Sequence, residues 1–193
     1  MLPPSSDAQP DAPTARHRPC QDRRSTHQPV EEQPMSERAR FSAAAAAYIA
    51  QPDGRVLLVH HAKADRWVLP GGKAEHNEPP LTTCRREAEE EIGVPVRVGR
   101  LLTFNWLTPA AALWPEAVDI DYAYPCHMLT FHATIDPADV ERIKLPAREL
   151  LAYRWWDVDE AAASGVMEQY NARNLLAATQ VHRGERPAAY LEA

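Results

Sequence analysis

The stretch Gly71 to Val94, GGKAEHNEPPLTTCRREAEEEIGV, limits what this chain can fold into more than any other. From Gly72 it reads G-x5-E-x7-R-E-U-x-E-E-x-G-U, where U is a small or aliphatic residue. The paired glycines give a loop with no side chains in the way, free to take positive φ. Pro79 and Pro80 suit a first helical turn. Neither Gly nor Pro interrupts the run from Leu81 to Ile92, so a helix is predicted there. Leu81, Cys84, Ala88 and Ile92 fall at helical spacing as a narrow apolar stripe. Glu87, Glu90 and Glu91 are related as i, i+3 and i+4, which places their carboxylates together on the other face. Gly93 stands where a helix C′ residue belongs.

Like charges at this spacing repel by about 0.2–0.5 kcal/mol per pair, and Arg86 offsets only part of that. A hard divalent cation offsets more. Mg²⁺ takes oxygen ligands, usually with substrate phosphates sharing the metal. A solvated acidic helix face is the plainer reading of EAEEE alone. The glycine loop, Glu78 and Arg86, all in register, favour the cation.

Gly72, Glu78, Arg86, Glu87, Ala88, Glu90, Glu91, Gly93 and Val94 fill every fixed position of the Nudix box. The chain therefore resembles the Nudix hydrolase family, over roughly residues 41–182. The resemblance implies an α/β fold, the Nudix-type α/β/α sandwich with a mixed β-sheet and the box helix on one side. It also implies a Mg²⁺-dependent hydrolase, Mn²⁺ being a second suitable ion. Such an enzyme cleaves a diphosphate bond in a nucleoside diphosphate linked to another moiety, of the NTP, ADP-ribose or nucleotide-sugar class. Glu87, Glu90 and Glu91 match the family's metal-ligand positions, and the carbonyl aligned with Gly71 can join them. Arg86 and Glu78 match positions that orient the acidic cluster. The catalytic set is then Glu91, Glu90 and Arg86, with Glu91 the first candidate for general base and Glu116 and Glu149 the alternatives.

Two other functions compete. A Nudix-fold sensor would bind a nucleotide without cleaving it, but such regulators usually carry a further DNA-binding domain. Only about 35 residues follow Trp156, short for a winged helix. An isomerase of the isopentenyl-diphosphate type would need a reactive Cys and Glu, and Cys126 is its one candidate outside the box helix and the tail. The complete box favours the hydrolase. Pro109 lies near a proline position associated with ADP-ribose pyrophosphatases, a marker of little weight in a chain with 18 prolines. Asn77 replaces a glycine that often precedes the second box residue.

The rest of the chain frames this centre. A length of 193 residues suits one domain. A net charge of −6 argues against nucleic acid or an anionic membrane as the main partner. A nucleotide-type small molecule remains compatible, because a metal supplies positive charge locally; a homodimer is compatible too. Cys20, Cys84 and Cys126 form no C-x-x-C pair, which points to a reducing, cytoplasmic setting rather than a disulfide framework or zinc site. Residues 1–38 hold seven prolines and almost no large apolar residue, the composition of a disordered tail. Met35 is an alternative start. The domain is expected over 39–183, with a frayed end at 184–193.

Phe41 to Ala50 is alanine-rich and so helix-prone. Yet Gln51-Pro-Asp-Gly54 is a turn signal before a β-rich run from Arg55 to His60, so two strands joined by that turn fit better. His60 and His61 end the second strand, as ordinary polar residues or as a phosphate contact. Trp67 is expected in the core, or as a platform for a base. Further strands are expected over 94–107, 119–135 and 150–156, the last taken as the final strand. Asp157-x-x-Glu160 matches a capping box, and a last helix is expected over 166–182.

Overall fold

The computed structural model describes residues 41–108 and 125–192. The expected tail at 1–38, Met35, Pro109 and Glu116 lie outside them. Among the described residues, eight strands form two sheets. β1 (Ser42–Ile49) is flanked by β4 (Gly71–Lys73), antiparallel to it, and by β6 (Cys126–Thr134), parallel. β5 (Arg97–Leu107) runs antiparallel to β6 and parallel to β8 (Ala189–Glu192), so the five-stranded order is β4-β1-β6-β5-β8. The smaller sheet, β3-β2-β7, joins β2 (Val56–His61) to β3 (Arg66–Val68) and β7 (Leu150–Trp156).

The alanine run is a strand because of where it lies. Ala45, Ala47 and Ile49 face one way, Ala44, Ala46 and Tyr48 the other, and all six are buried. Burial on both faces overrides alanine's local preference for helix. The turn forms, with the Gly54 N–H donating to the Gln51 carbonyl at 2.9 Å. The two strands do not continue as a hairpin, however. They meet at one bridge, Ala50 to Val56, and then part into different sheets.

Helix α1 (Pro80–Ile92) covers one face. Its Cys84, Ala88 and Ile92 pack with Ala45, Ala47, Leu57, Val59 and Phe131. Leu81, expected in that stripe, is instead 47% exposed, and Thr83 is buried in the first turn. Gly93 ends the helix at φ +69°, its N–H donating to Glu89 O. On the other face lie α2 (Val158–Ala163) and α3 (Gln169–His182), packed on Tyr48, Val56, Leu58, Leu102 and Trp156. Two helical layers around mixed sheet make the α/β/α sandwich. The Asp157 side chain caps α2 by accepting from the Glu160 N–H at 2.9 Å.

Two expectations at the C-terminal end need correction. β7 is not the last strand, and the stretch after Arg183 does not fray throughout. Residues 189–192 return as β8 beside β5, with Ala189 buried next to Thr103.

A buried polar knot ties α3 to the larger sheet. Asn174 Oδ1 accepts from Thr103 Oγ1 at 2.6 Å and from Asn105 Nδ2 at 2.9 Å, while its Nδ2 donates to Thr130 Oγ1 at 2.9 Å. All four residues are buried. Asn174→Ala would strand three polar partners, so it is expected to cost about 2–4 kcal/mol. The urea unfolding midpoint measures this; a midpoint equal to that of the unsubstituted chain would show that the knot does not hold the helix.

Candidate active site

Two elements converge to build the site. β4 lies against β1 with Gly71 opposite Ala46 and Gly72 opposite Ala45. Neither position has room for a side chain. A Cβ on Gly71 would strike the Ala45 carbonyl oxygen, and one on Gly72 would strike the Glu87 carboxylate. Gly71 therefore lets β4 lie close against β1, and Gly72 lets the acidic helix approach β4. Asn77, in the loop between them, takes φ +62°, a left-handed conformation that Asn tolerates better than most residues.

Arg86 organises the acids on the outer side. Its Nε donates to Glu78 Oε1 and its Nη2 to Glu78 Oε2, each at 2.8 Å. Its Nη1 donates to Glu87 Oε1 at 2.9 Å and to Glu90 Oε2 at 3.2 Å. Nη2 also reaches the Lys73 carbonyl at 3.1 Å, which ties the helix to β4. Thr83 Oγ1 and the Glu75 N–H donate to the same Glu78 carboxylate. Arg86 above all, with the Glu75 N–H next, holds the Glu78 carboxyl down to about 2. Glu87 moves the opposite way. Burial pushes its carboxyl above the ordinary range, Glu91 and Glu90 add to this, and Arg86 offsets part of it.

The three box glutamates do not share one solvated face, as their spacing suggested. Glu90 is exposed, with 61% of its side chain accessible. Glu91 is buried at 6% and continues the line of Ala88 and Ile92 inward. A buried carboxylate needs partners. The Gly71 N–H donates to Glu91 Oε2 at 2.9 Å, and His61 Nε2 lies 3.3 Å from Oε1. Glu149 is exposed at the start of β7, its carbonyl accepting from the Ala62 N–H.

A cleft of about 310 Å³ opens beside this centre. Its walls are largely apolar: Ala44, Ala46, Leu58, Val68, Leu69, Leu107, Met128, Met167 and Leu175. Gly71, Gly72, His61, Lys63 and Lys73 line it towards the box, and Tyr170, Asn171 and Asn174 line it from α3. None of the described residues that line it is acidic. Sequence reasoning missed these three polar α3 residues, Tyr170, Asn171 and Asn174. The signal was a polar Asn174 at a core-facing position of α3, beside Leu175 and one turn before Ala178. Trp67 packs partly buried against the core, its ring parallel to His60 at 4.9 Å and edge-on to Trp156 at 5.3 Å. Cys126 also faces the cleft, where burial raises its thiol pKa and makes a thiolate scarce.

Among the described residues, no three His, Cys, Asp or Glu side chains already converge as a metal cage. Arg86 draws Glu87 and Glu90 towards itself, and Gly71 holds Glu91. The donor chemistry nevertheless fits a hard cation. All the donors are oxygens, and burial disfavours the charged form of Glu87, which a cation would favour.

An α/β/α sandwich with an acidic helix pressed against a glycine strand, beside a cleft, is the architecture that the box resemblance implied. The NUDIX domain family model matches residues 40–176, and the chain belongs to that family. It is similar to a MutT-like protein of Streptomyces ambofaciens, 40% identical over 60 residues, which cover 31% of this chain and 39% of that protein. It is also similar to an RNA pyrophosphohydrolase of Halorhodospira halophila, 44% identical over 61 residues, or 31% of this chain and 34% of that protein. The matches thus span between a third and two fifths of those relatives' lengths. The crystal structure of a UDP-X diphosphatase has the same fold, with TM-score 0.62, 22% identity and coverage of 82% of this chain and 70% of that one. Among the described residues no helix is long and apolar enough to cross a membrane.

Proposed function

We propose that this chain is a Mg²⁺-dependent hydrolase that cleaves a diphosphate bond in a nucleoside diphosphate linked to another moiety. The observation that carries this reading is the position of the cleft. Its apolar part can take a nucleobase. Its other end, with His61, Lys63 and Lys73, lies beside the glycine strand that Glu87 and Glu91 back. A nucleotide laid along it brings its phosphates to the acidic helix.

Glu87, Glu90, Glu91 and the Gly71 carbonyl would hold the ion in this reading. When bound, Mg²⁺ neutralises phosphate oxygens and lowers the pKa of the attacking water. The chain's own groups do the rest. Arg86 and Glu78 fix the outer acids by ion pairing, and the Gly71 N–H fixes Glu91. Glu91, the first candidate for general base, is held in one orientation, as a base within reach of its proton must be. The apolar walls exclude water from the bound base. Cys84 and Cys126 are unpaired, in keeping with a cytoplasmic setting.

The test is release of phosphate or nucleotide from dNTPs, ADP-ribose, nucleotide sugars and dinucleoside polyphosphates, each with Mg²⁺ and with EDTA. Turnover of one class is expected with Mg²⁺, and its loss in EDTA. Tight binding of one ligand with no turnover across the panel would support the non-catalytic sensor instead.

A further inference from the structure

Glu91 stands apart from the other acids of the box. Arg86 contacts Glu78, Glu87 and Glu90, and none of its hydrogen bonds or ion pairs reaches Glu91. Something else must fix the one box carboxylate that the helix turns inward. The strands supply it. Along β2, Leu57, Val59 and His61 share a face. Leu57 and Val59 spend that face on Cys84, Ala88 and Ile92 of α1. His61, one step further, meets the next inward residue of the helix, and its Nε2 lies 3.3 Å from Glu91 Oε1. The other oxygen, Oε2, takes the Gly71 N–H at 2.9 Å. The two carboxylate oxygens are thus approached from two strands, β2 and β4.

The local backbone fits this placement. The register between β2 and β7 shifts between His60 and His61: His60 faces Ala152, His61 faces Leu150, and Leu151 is left without a partner. Such irregularities end regular pairing and re-aim side chains, often beside active sites. β2 itself stays regular, pairing His60 with Trp67 and His61 with Arg66, so alternation alone puts the two histidines on opposite faces with different surroundings. His60 stacks on Trp67 and lies 2.9 Å from Asp65. His61 lines the cleft and keeps 30% of its side chain accessible, while Glu91 behind it keeps 8%.

We propose that His61 is a positioning residue that holds Glu91 against the glycine strand from the wall of the substrate cleft. This rests on the metal site described under the proposed function. Partners one shell out from a metal ligand set its orientation, and losing one typically costs about 10–100-fold in metal affinity or activity.

The experiment uses the full chain, with Mn²⁺ binding followed by electron paramagnetic resonance in the absence of substrate. In parallel, kcat and KM are measured on the substrate that the panel identifies. His61→Ala is expected to weaken Mn²⁺ binding and lower kcat, each about tenfold or more, with KM little changed. His61→Gln, which keeps an N–H donor, should recover part of both, and His60→Ala should leave both unchanged. Thermal unfolding checks that each variant is folded, and His61→Gln carries the test if His61→Ala is not. Normal Mn²⁺ affinity and kcat in folded His61→Ala overturn the role of His61 alone. A rise in KM with kcat and Mn²⁺ affinity intact also overturns it, and makes His61 a substrate contact. Absence of Mn²⁺ binding by the unsubstituted chain overturns the metal site itself, and the role of His61 falls with it.

Discussion

Glu90→Gln is expected to lower kcat about 10²–10⁴-fold while the fold survives. The two halves of that expectation have separate physical grounds. Glu90 is on the solvent side of α1, and among the described residues it pairs with Arg86, at 3.2 Å. An exposed pair of this kind contributes about 0–1 kcal/mol. Arg86 keeps Glu78 and Glu87 when Glu90 becomes neutral, and the amide occupies the same space. The melting temperature should therefore move by no more than about 4 °C. Activity depends on charge rather than shape. In the proposed metal site, removing this carboxylate would weaken the hold on a cation whose neutralising effect is worth several kcal/mol in the transition state, and each ~1.4 kcal/mol is a factor of ten in rate. Steady-state turnover with Mg²⁺, set beside a thermal melt, measures both halves. Near-normal turnover in a folded Glu90→Gln protein would rule out a metal role for this residue.

How much of this was legible in the sequence depended on how local each signal was. The box helix could be placed because its proline start, unbroken interior and glycine end lie within one stretch of chain. The Asp157 cap, though not the return bond of a full capping box, since Glu160 pairs with Arg154 instead, and the turn ending at Gly54 were readable for the same reason. The alanine run could be read as a strand only through its neighbours, since alanine alone favours helix. What the sequence could not give was tertiary. Helical spacing grouped Glu91 with Glu87 and Glu90, because an angle around a helix does not say where the sheet begins. The chain places Glu91 inside that boundary, where Gly71 and His61 meet it. β8 was invisible because four residues after a Gly-containing turn carry no pattern of their own; β5 makes them a strand. The Asn174 knot joins residues 44 to 71 positions apart, and no window of sequence contains it.

The two glycines of β4 should fail in different ways when each is replaced by alanine. Gly71 has φ +155°, and an added Cβ would strike the Ala45 carbonyl and sit 2.6 Å from Ala46 Cα. Those atoms belong to the backbone of β1, the strand between β4 and β6, with Ala45 wholly buried. They cannot yield without moving the sheet, so Gly71→Ala is expected to cost about 2–4 kcal/mol and to pull its N–H away from Glu91. At Gly72 the obstacle is the Glu87 carboxylate, the far end of a flexible side chain. That end can swing aside, so Gly72→Ala should unfold within about 1 kcal/mol of the unsubstituted chain. The displaced Glu87 would then leave the acidic cluster, and turnover should fall by about tenfold or more. Urea unfolding and steady-state kinetics on the pair separate the two effects. An unchanged midpoint for Gly71→Ala would mean that β4 does not lie as close to β1 as described. Full turnover in Gly72→Ala would mean that Glu87 has no part in the reaction, leaving Glu90 and Glu91 to hold the ion.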